Sequence, residues 1–216
     1  MRQSEVDYLC EDDRDLQHPL KVEPYRYFDP LLKRTVVKVQ PGTHYVTKQS
    51  DEVIATTLGS CIAVCIRDRV KLVGGMNHFM LPKGNGEGAW GNASASLRYG
   101  DYAMEVLINS ILKLGGAKNH LEIKLFGGAN VLAGSSRDIG SKNIRFVQRF
   151  LRNEHMEPAA EHLGGKQGRQ IRYYPESGTV KMKLLGESEQ AAVAKAEAAL
   201  KKELDSKKVE GSVELF

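Results

Sequence analysis

The stretch from Thr56 to Pro82, TTLGSCIAVCIRDRVKLVGGMNHFMLP, holds two cysteines and one histidine in an otherwise apolar sequence. Cys61 follows a Gly-Ser pair, Cys65 comes four residues later, and His78 lies in the next apolar run. A thiol beside an imidazole is the minimal nucleophile and base for acyl transfer, because a neighbouring imidazolium stabilises the thiolate. These residue types leave three alternatives: a cysteine nucleophile, a metal site, or ordinary core residues.

The two apolar runs that carry these residues are predicted to pair as an antiparallel hairpin. With a two-residue turn at Arg69 and Val70, Cys61 lies directly opposite His78. Opposed side chains share a face of the sheet and have β-carbons roughly 4.5 to 5.5 Å apart. A register shifted by one residue would place the two side chains on different faces. The proposed thiol–imidazole pair therefore depends on the register of this hairpin.

Glycines accompany the cysteine and recur further along the chain. In the LGSC turn, Gly59 allows close approach to the backbone, and amides around Ser60 and Cys61 are candidate donors to an oxyanion. Two later motifs, FGGA at 126–129 and LGG at 163–165, either line a substrate groove or close strands as tight turns. Tight turns are the preferred interpretation of both motifs.

A metal site would take Cys61, Cys65 and His78 as ligands. On a strand, four residues span about 13 Å, whereas zinc-bound sulfurs each lie about 2.3 Å from the metal. The β-branched residues between the cysteines favour a strand, so we expect no metal and no other cofactor. Both cysteines also suit a buried core, where small sulfur side chains are common. The core is the preferred interpretation for Cys65.

Length and charge narrow the class of protein. The chain has 216 residues and a formal net charge of +4, which suits one domain and provides no basic block. Its apolar runs are far shorter than the roughly 20 residues of a membrane-spanning helix. The acidic start does not resemble a signal peptide, and three cysteines without framework spacing suit a reducing compartment. We expect a cytoplasmic protein with free thiols and no membrane insertion.

The basic segment SKNIRFVQRFLR, residues 141–152, is the best candidate in the chain for a nucleic-acid contact. Its apolar residues recur at helical spacing, and its arginines occupy the remaining positions. This pattern favours a helix with one solvated face, and we expect no nucleic-acid partner.

The order of elements predicts an α/β (mixed) fold with a single catalytic domain. Residues 1–40 are charged, contain three prolines and show no sustained period, which indicates a weakly ordered or peripherally packed extension. Residues 41–185 alternate between predicted strands and helices and form the domain. Residues 186–216 begin with an exposed helix rich in Ala, Glu and Lys, from Glu187 to about Lys208, and end in the tail GSVELF.

Long motifs in a fixed order resemble a known family. These motifs are LGSCIAVCIRD, VGGMNHFMLP, RYGDYAMEVLINSIL, KLFGGANVL, IGSKNIRFVQRFL and HLGGKQGRQIRYYPESGTV. Between about Pro41 and Leu185, the chain is similar to the chemoreceptor glutamine deamidases, the CheD family of bacterial chemotaxis. The resemblance implies stacked mixed β-sheets flanked by helices. It also implies hydrolysis of selected glutamine side chains in methyl-accepting chemotaxis receptors to glutamate and ammonia.

The resemblance also implies roles for individual residues and partners. The family's nucleophile falls on Cys61 and its histidine on His78. A threonine that orients the histidine is expected six residues before the cysteine, where this chain has Ala55. Thr57 shares a strand face with that position and is the candidate, with Thr56 as the alternative. The implied partners are the cytoplasmic helices of chemotaxis receptors and, in some bacteria, a CheC-type phosphatase.

A binding protein without catalysis is the competing hypothesis. Such an adaptor would keep the same fold to bind receptors or a phosphatase. The apolar and acidic tail GSVELF would suit docking, by adding a strand to a partner or by filling a groove. The alternative for this segment is an unstructured tail. A fast, low-pKa thiol at Cys61 would favour the enzyme over the adaptor.

Overall fold

The computed structural model describes residues 24–81, 92–131 and 139–206. Within these ranges the strands are β1 (Tyr25–Asp29), β2 (Arg34–Lys38), β3 (His44–Thr47), β4 (Glu52–Leu58), β5 (Ile62–Asp68), β6 (Gly74–Phe79), β7 (Leu121–Gly127), β8 (Ala160–Leu163), β9 (Arg169–Tyr174) and β10 (Thr179–Leu184). The helices are α1 (Asn92–Lys113), α2 (Ile139–Asn153) and α3 (Glu187–Ser206), with a short 3-10 helix at Lys118–His120.

The strands form two five-stranded sheets. The first sheet has the order β1-β2-β4-β9-β10, and the second has the order β3-β6-β5-β7-β8. Both are mixed, because β2 pairs with β4 in parallel and β7 pairs with β8 in parallel, while their other pairs are antiparallel. The predicted α/β class with stacked mixed sheets is confirmed.

Strand β5 is buried on both faces and therefore links two cores. Ala63 and Cys65 face the first sheet, where they pack with Ile171. Ile62 and Val64 alternate to the other face, which α1 and α2 cover. The layers are thus sheet, sheet and helices, and a side chain between the sheets is sealed from water. The basic segment forms most of α2, whose apolar side is buried against this core.

Part of the predicted N-terminal extension belongs to the first sheet. Strand β1 pairs with β2, β2 pairs with β4, and Val36 and Val37 of β2 are fully buried. The prediction of weak order is wrong for residues 25–38, because pairing with β4 buries the valines of the short run RTVVK. Residues 1–23 lie outside the described residues.

Helix α3 follows β10 and packs against the core between the two sheets. Its existence is confirmed, but its predicted exposure is wrong on one side. Leu200 and Leu204 pack against the core between the sheets, and Glu197 is only 4% exposed. Within the ranges described above, no helix has both the length and the apolar character needed to cross a membrane. The tail at 211–216 lies outside the described residues.

Candidate active site

Strands β5 and β6 form the predicted hairpin, but its turn is longer than predicted. The Asp68 amide donates to the Val73 carbonyl oxygen at 2.8 Å, so that residues 69–72 form the loop. The Asp68 carboxylate accepts the amide hydrogens of Val70 and Lys71, each at 2.7 Å. An aspartate that binds the backbone two and three residues ahead stabilises such a turn. This interaction replaces the predicted two-residue turn.

The longer turn moves the register by two residues. His78 pairs with Ala63, so the prediction that Cys61 lies directly opposite His78 is wrong. Because side chains alternate with a period of two, this shift keeps both residues on one face of the sheet. Cys61 and His78 are diagonal neighbours facing the first sheet, and Cys61 Sγ lies within 4.8 Å of a His78 ring nitrogen. Both side chains are buried.

Thr56 determines the tautomer of His78. Thr56 Oγ1 donates to the Val39 carbonyl oxygen and lies 2.8 Å from His78 Nδ1. A hydroxyl has one hydrogen and a carbonyl can only accept, so Thr56 accepts the hydrogen of Nδ1. The lone pair is then on Nε2, which is buried and has no hydrogen-bond partner within the described part of the chain. A base for the Cys61 thiol requires this tautomer.

The choice of Thr57 as the orienting residue is corrected to Thr56. Strand β4 directs Ile54, Thr56 and Leu58 toward the core between the sheets. Ala55 packs in a separate cluster on the other face of the first sheet, and alternation places Thr57 on that face. Thr57 was the candidate because it shares a strand face with Ala55, and that face is turned away from His78. The large apolar residues on either side of Thr56 were the available signal.

The backbone amides of residues 59–61 converge on a carboxylate. The Gly59 and Cys61 amides donate to Oε1 of Glu197 at 2.9 and 3.1 Å. The Ser60 amide and hydroxyl both donate to Oε2, each at 2.7 Å. Donors that hold a carboxylate in a buried site can also stabilise a developing oxyanion. The geometry supports the predicted oxyanion role of this turn, and it adds Glu197, which the sequence did not indicate.

Asn143 of α2 holds the same turn from the helical side. Its side-chain amide donates to the Ser60 carbonyl oxygen at 2.8 Å, and its Oδ1 accepts the Leu81 amide hydrogen at 3.0 Å. Asn143 is fully buried. It was not singled out from the sequence, although it lies at helical spacing from the apolar residues Phe146 and Val147. A polar residue on the apolar side of a helix was the available signal.

The FGGA motif closes β7 and supports the cysteine turn. The Gly128 amide donates to the Cys61 carbonyl oxygen at 2.8 Å, and the Ala129 amide donates to the Gly59 carbonyl oxygen at 2.8 Å. Gly127 has a φ of +120°, and a Cβ there would lie 2.0 Å from the Cys61 oxygen. Glycine is therefore required at 127 both by the backbone conformation and by the close approach.

Burial and charge keep the cysteine protonated in this arrangement, so this form of the site lacks the low-pKa thiol that would favour the enzyme over the adaptor. Burial raises the pKa of the Cys61 thiol well above its ordinary value, and the charge of Glu197 raises it further. Burial lowers the pKa of His78, against the opposing effect of Glu197. Burial would raise the pKa of Glu197, but hydrogen bonds from Ser60 and Cys61 lower it. The ring is thus neutral, and the carboxylate carries the charge.

Cys65 lies in the middle of β5, away from this arrangement. It is fully buried in the core between the sheets, and burial raises the pKa of its thiol. Cys61, His78 and Glu197 are by type a possible set of metal ligands, within 4.8 Å of one another. Both oxygens of Glu197 already accept amide hydrogen bonds. This donor set favours recognition of an anion over coordination of a metal.

A buried cysteine, a histidine held by a threonine and a turn of amide donors define the class of site used by cysteine-dependent hydrolases. Here the site lies between two stacked mixed sheets of an α/β fold. The comparisons with known proteins narrow this class to one family.

A family model described as CheD chemotactic sensory transduction matches residues 80–184. A relative from Rhodopseudomonas palustris (strain BisA53) is 49% identical over 191 residues, which cover 88% of this chain and 89% of the relative. A relative from Saccharophagus degradans is 50% identical over 200 residues, covering 89% of each chain. Both carry the name probable chemoreceptor glutamine deamidase CheD. The chain belongs to the CheD family, as its motifs indicated.

Proposed function

We propose that this protein hydrolyses the side-chain amides of glutamine residues in methyl-accepting chemotaxis receptors, giving glutamate and ammonia. One observation carries the proposal: the amides of residues 59–61 hold a glutamate carboxylate next to Cys61 and His78. A glutamate carboxylate is the product of this reaction, and it has nearly the shape of the glutamine amide. The names of the relatives support chemoreceptors as the substrate.

The proposed mechanism begins with proton transfer from Cys61 to Nε2 of His78. The thiolate then attacks the amide carbon, and the amides of residues 59–61 stabilise the oxyanion. His78 returns the proton to the departing ammonia as the C–N bond breaks, leaving a thioester on Cys61. Water, deprotonated by His78, hydrolyses the thioester and restores the thiol. Thr56 holds the His78 ring in the required tautomer throughout.

Partners follow from the same proposal. The receptors are the substrates, and a CheC-type phosphatase is a second partner, which the resemblance of the motifs to the family supports. An adaptor without catalysis is less consistent with the site, because docking does not need a thiol and an imidazole sealed between two sheets. The cytoplasmic location expected from the sequence agrees with action on the cytoplasmic helices of receptors.

Ammonia release from a purified receptor cytoplasmic fragment tests the proposal. The wild-type protein should release ammonia, Cys61→Ala should release none, and Cys65→Ala should remain active because Cys65 lies away from the site. A chelator in the assay should leave the rate unchanged. Binding of the fragment by the wild-type protein without ammonia release would instead favour the adaptor.

A further inference from the structure

Glu197 is placed as a reaction product would be. Its carboxylate is bound by three backbone amides and the Ser60 hydroxyl, and it lies within 4.8 Å of Cys61 Sγ and a His78 ring nitrogen. The fit is close: a Cβ on Gly59 would lie 2.7 Å from Glu197 Oε2. These amides cannot bind a substrate oxygen while Glu197 occupies them. The side chain therefore fills the position that the proposed function assigns to a receptor glutamine.

Apart from Glu197, α3 makes few buried contacts with the rest of the protein. Lys195, Ala196, Ala198 and Ala199, the residues on either side of Glu197, are exposed. Leu200 and Leu204 are only partly buried against the core. At the start of the helix, Gln190 exchanges two longer hydrogen bonds with the loop before β9, at 3.3 and 3.2 Å. Glu189 also forms an ion pair with Lys183 of β10 at 3.0 Å, but both side chains are exposed, and such pairs contribute little stability. An element with few buried apolar contacts opens at low free-energy cost.

The connection to the body of the protein suits such an opening. The Leu185 amide is bound to the Gly168 carbonyl oxygen at 2.9 Å, which fixes the chain at the end of β10. Gly186 comes next and is exposed, and a Cβ there would meet only Glu189 Oε2, at 3.8 Å. The Gly186 amide donates to Glu189 Oε2 at 3.0 Å, and its carbonyl oxygen accepts from the Gln190 amide at 2.9 Å. Both bonds lie within the start of α3 and can move with it, so α3 can leave without disturbing the sheets.

The charge of Glu197 suppresses the reactivity of Cys61, and its position blocks the amides that would bind a substrate. The carboxylate raises the pKa of the Cys61 thiol, and only the thiolate is nucleophilic. Departure of α3 removes this charge, opens the site to water and frees the amides together. Occupied and open forms of the site thus differ in both access and thiol reactivity.

We propose that α3 is an autoinhibitory helix whose Glu197 occupies the glutamine-binding site as a product analogue, and that a receptor segment must displace it. The inference rests on the proposed function. It has a chemical consequence, because a glutamine placed at position 197 becomes a substrate within the same chain. Its amide oxygen takes the Gly59 and Cys61 amides, and its NH2 group donates to the Ser60 hydroxyl oxygen. Cys61 Sγ bonds to the amide carbon of Gln at 197, the C–N bond breaks, and ammonia leaves with a proton from His78. Water then replaces the sulfur, giving glutamate and the free thiol.

The Glu197→Gln variant tests this consequence directly. The full-length protein is purified and digested, and the residue at position 197 is identified by mass spectrometry. We expect glutamate at 197 in Glu197→Gln and glutamine at 197 in the double variant Cys61→Ala/Glu197→Gln. Glu187→Gln is the matched control, because Glu187 is exposed at the start of the same helix and its replacement should stay glutamine. Retention of glutamine at 197, in a variant that still deamidates a receptor fragment, would overturn the inference.

A second measurement covers the case in which Glu197→Gln alters the fold. Alkylation of Cys61 is followed by peptide mass in Glu197→Ala and in the control Glu187→Ala. Loss of the carboxylate should speed alkylation roughly tenfold or more, because it removes a negative charge that disfavours the Cys61 thiolate. Equal rates in the two variants would contradict occupancy of the site by α3. If the wild-type protein fails to deamidate receptors while Glu197→Gln reverts to glutamate, the assignment of receptors as substrate fails but the inference about α3 stands.

Discussion

Thr56 Oγ1 lies 2.8 Å from Nδ1 of His78 and donates its own hydrogen to the Val39 carbonyl oxygen. This relationship leaves Nε2 as the basic nitrogen of the ring. It also joins the two sheets at the site, since Thr56 belongs to the first sheet and His78 to the second. The tautomer of the base is thus determined by the packing of one sheet on the other.

Replacement of Thr56 tests this relationship. Thr56→Val keeps the shape of the side chain but accepts no hydrogen bond from Nδ1–H, so kcat should fall roughly tenfold or more, short of the roughly 10²–10⁴ that a general base itself contributes. Thr56→Ser keeps the hydroxyl and should retain most of the activity. Thr57→Ala is the matched control and should leave kcat nearly unchanged. The rate of ammonia release from a receptor fragment measures all three, and a larger loss in Thr57→Ala would contradict the assignment.

Asn143 is a positioning residue for the cysteine turn. Asn143→Leu keeps the approximate size of the side chain but leaves the Leu81 amide and the Ser60 carbonyl oxygen without this partner. A buried hydrogen bond broken on one side costs about 1–3 kcal/mol of unfolding free energy. We expect that loss in urea denaturation, with a lower kcat and little change in KM. Lys142→Ala, at the exposed neighbouring position, should change neither quantity.

Replacement of Gly127 tests whether its close approach to Cys61 contributes to stability in addition to the effect of its positive φ. Gly127→Ala places a Cβ 2.0 Å from the Cys61 carbonyl oxygen, whereas a Cβ at Gly115, which has a φ of +92°, would have nothing within 4 Å. Gly115→Ala should therefore show only the backbone penalty, about 1–2 kcal/mol. Gly127→Ala should lose more stability than Gly115→Ala in urea denaturation and should also lose deamidase activity. Equal losses would mean that the approach to Cys61 is not tight.

Asp68 gives the protein a defined response to acid. Burial would raise the pKa of this carboxyl, but hydrogen bonds from the Lys71, Ala117 and Val70 amides and the charge of His120 lower it. Because the pKa is lower in the folded chain, the stabilisation is fully present above the unfolded value of about 4 and is lost as pH falls through the folded value.

Asp68→Asn should therefore be less stable than wild type at pH 7. The difference in unfolding free energy should shrink as the pH is lowered below about 4, because the Asp68 carboxyl of the unfolded chain is protonated there while that of the folded chain, with its lower pKa, is still ionised. Urea denaturation at several pH values measures it. A difference that is constant with pH would show that the charge of Asp68 does not contribute to the turn.

The pattern of apolar residues predicted the hairpin and brought Cys61 and His78 onto one face, because strand alternation is a local property. The register was missed, since the Asp68 carboxylate lengthens the turn through backbone hydrogen bonds that composition does not reveal. Ile54 and Leu58 are large apolar residues that indicate the core face of β4. Side-chain alternation places Thr56 on that same face, so the sequence contained the signal for Thr56.

Contacts between distant parts of the chain could not be predicted from the sequence. Glu197 binds the amide of Cys61 across 136 residues of sequence, and it lies in a helix whose composition is typical of an exposed surface. Strands β1 and β2 were not predicted for a similar reason. The valines of β2 are buried by pairing with β4, which is distant from the local sequence pattern. Tertiary packing, rather than local propensity, determines both features.

Site-resolved mass spectrometry of a receptor cytoplasmic fragment tests the central claim most directly. The fragment is incubated with wild-type protein and, in parallel, with Cys61→Ala, and each glutamine is examined for conversion to glutamate. We expect conversion at defined glutamines with the wild-type protein and none with Cys61→Ala. Equal conversion by the two proteins would contradict catalysis by Cys61.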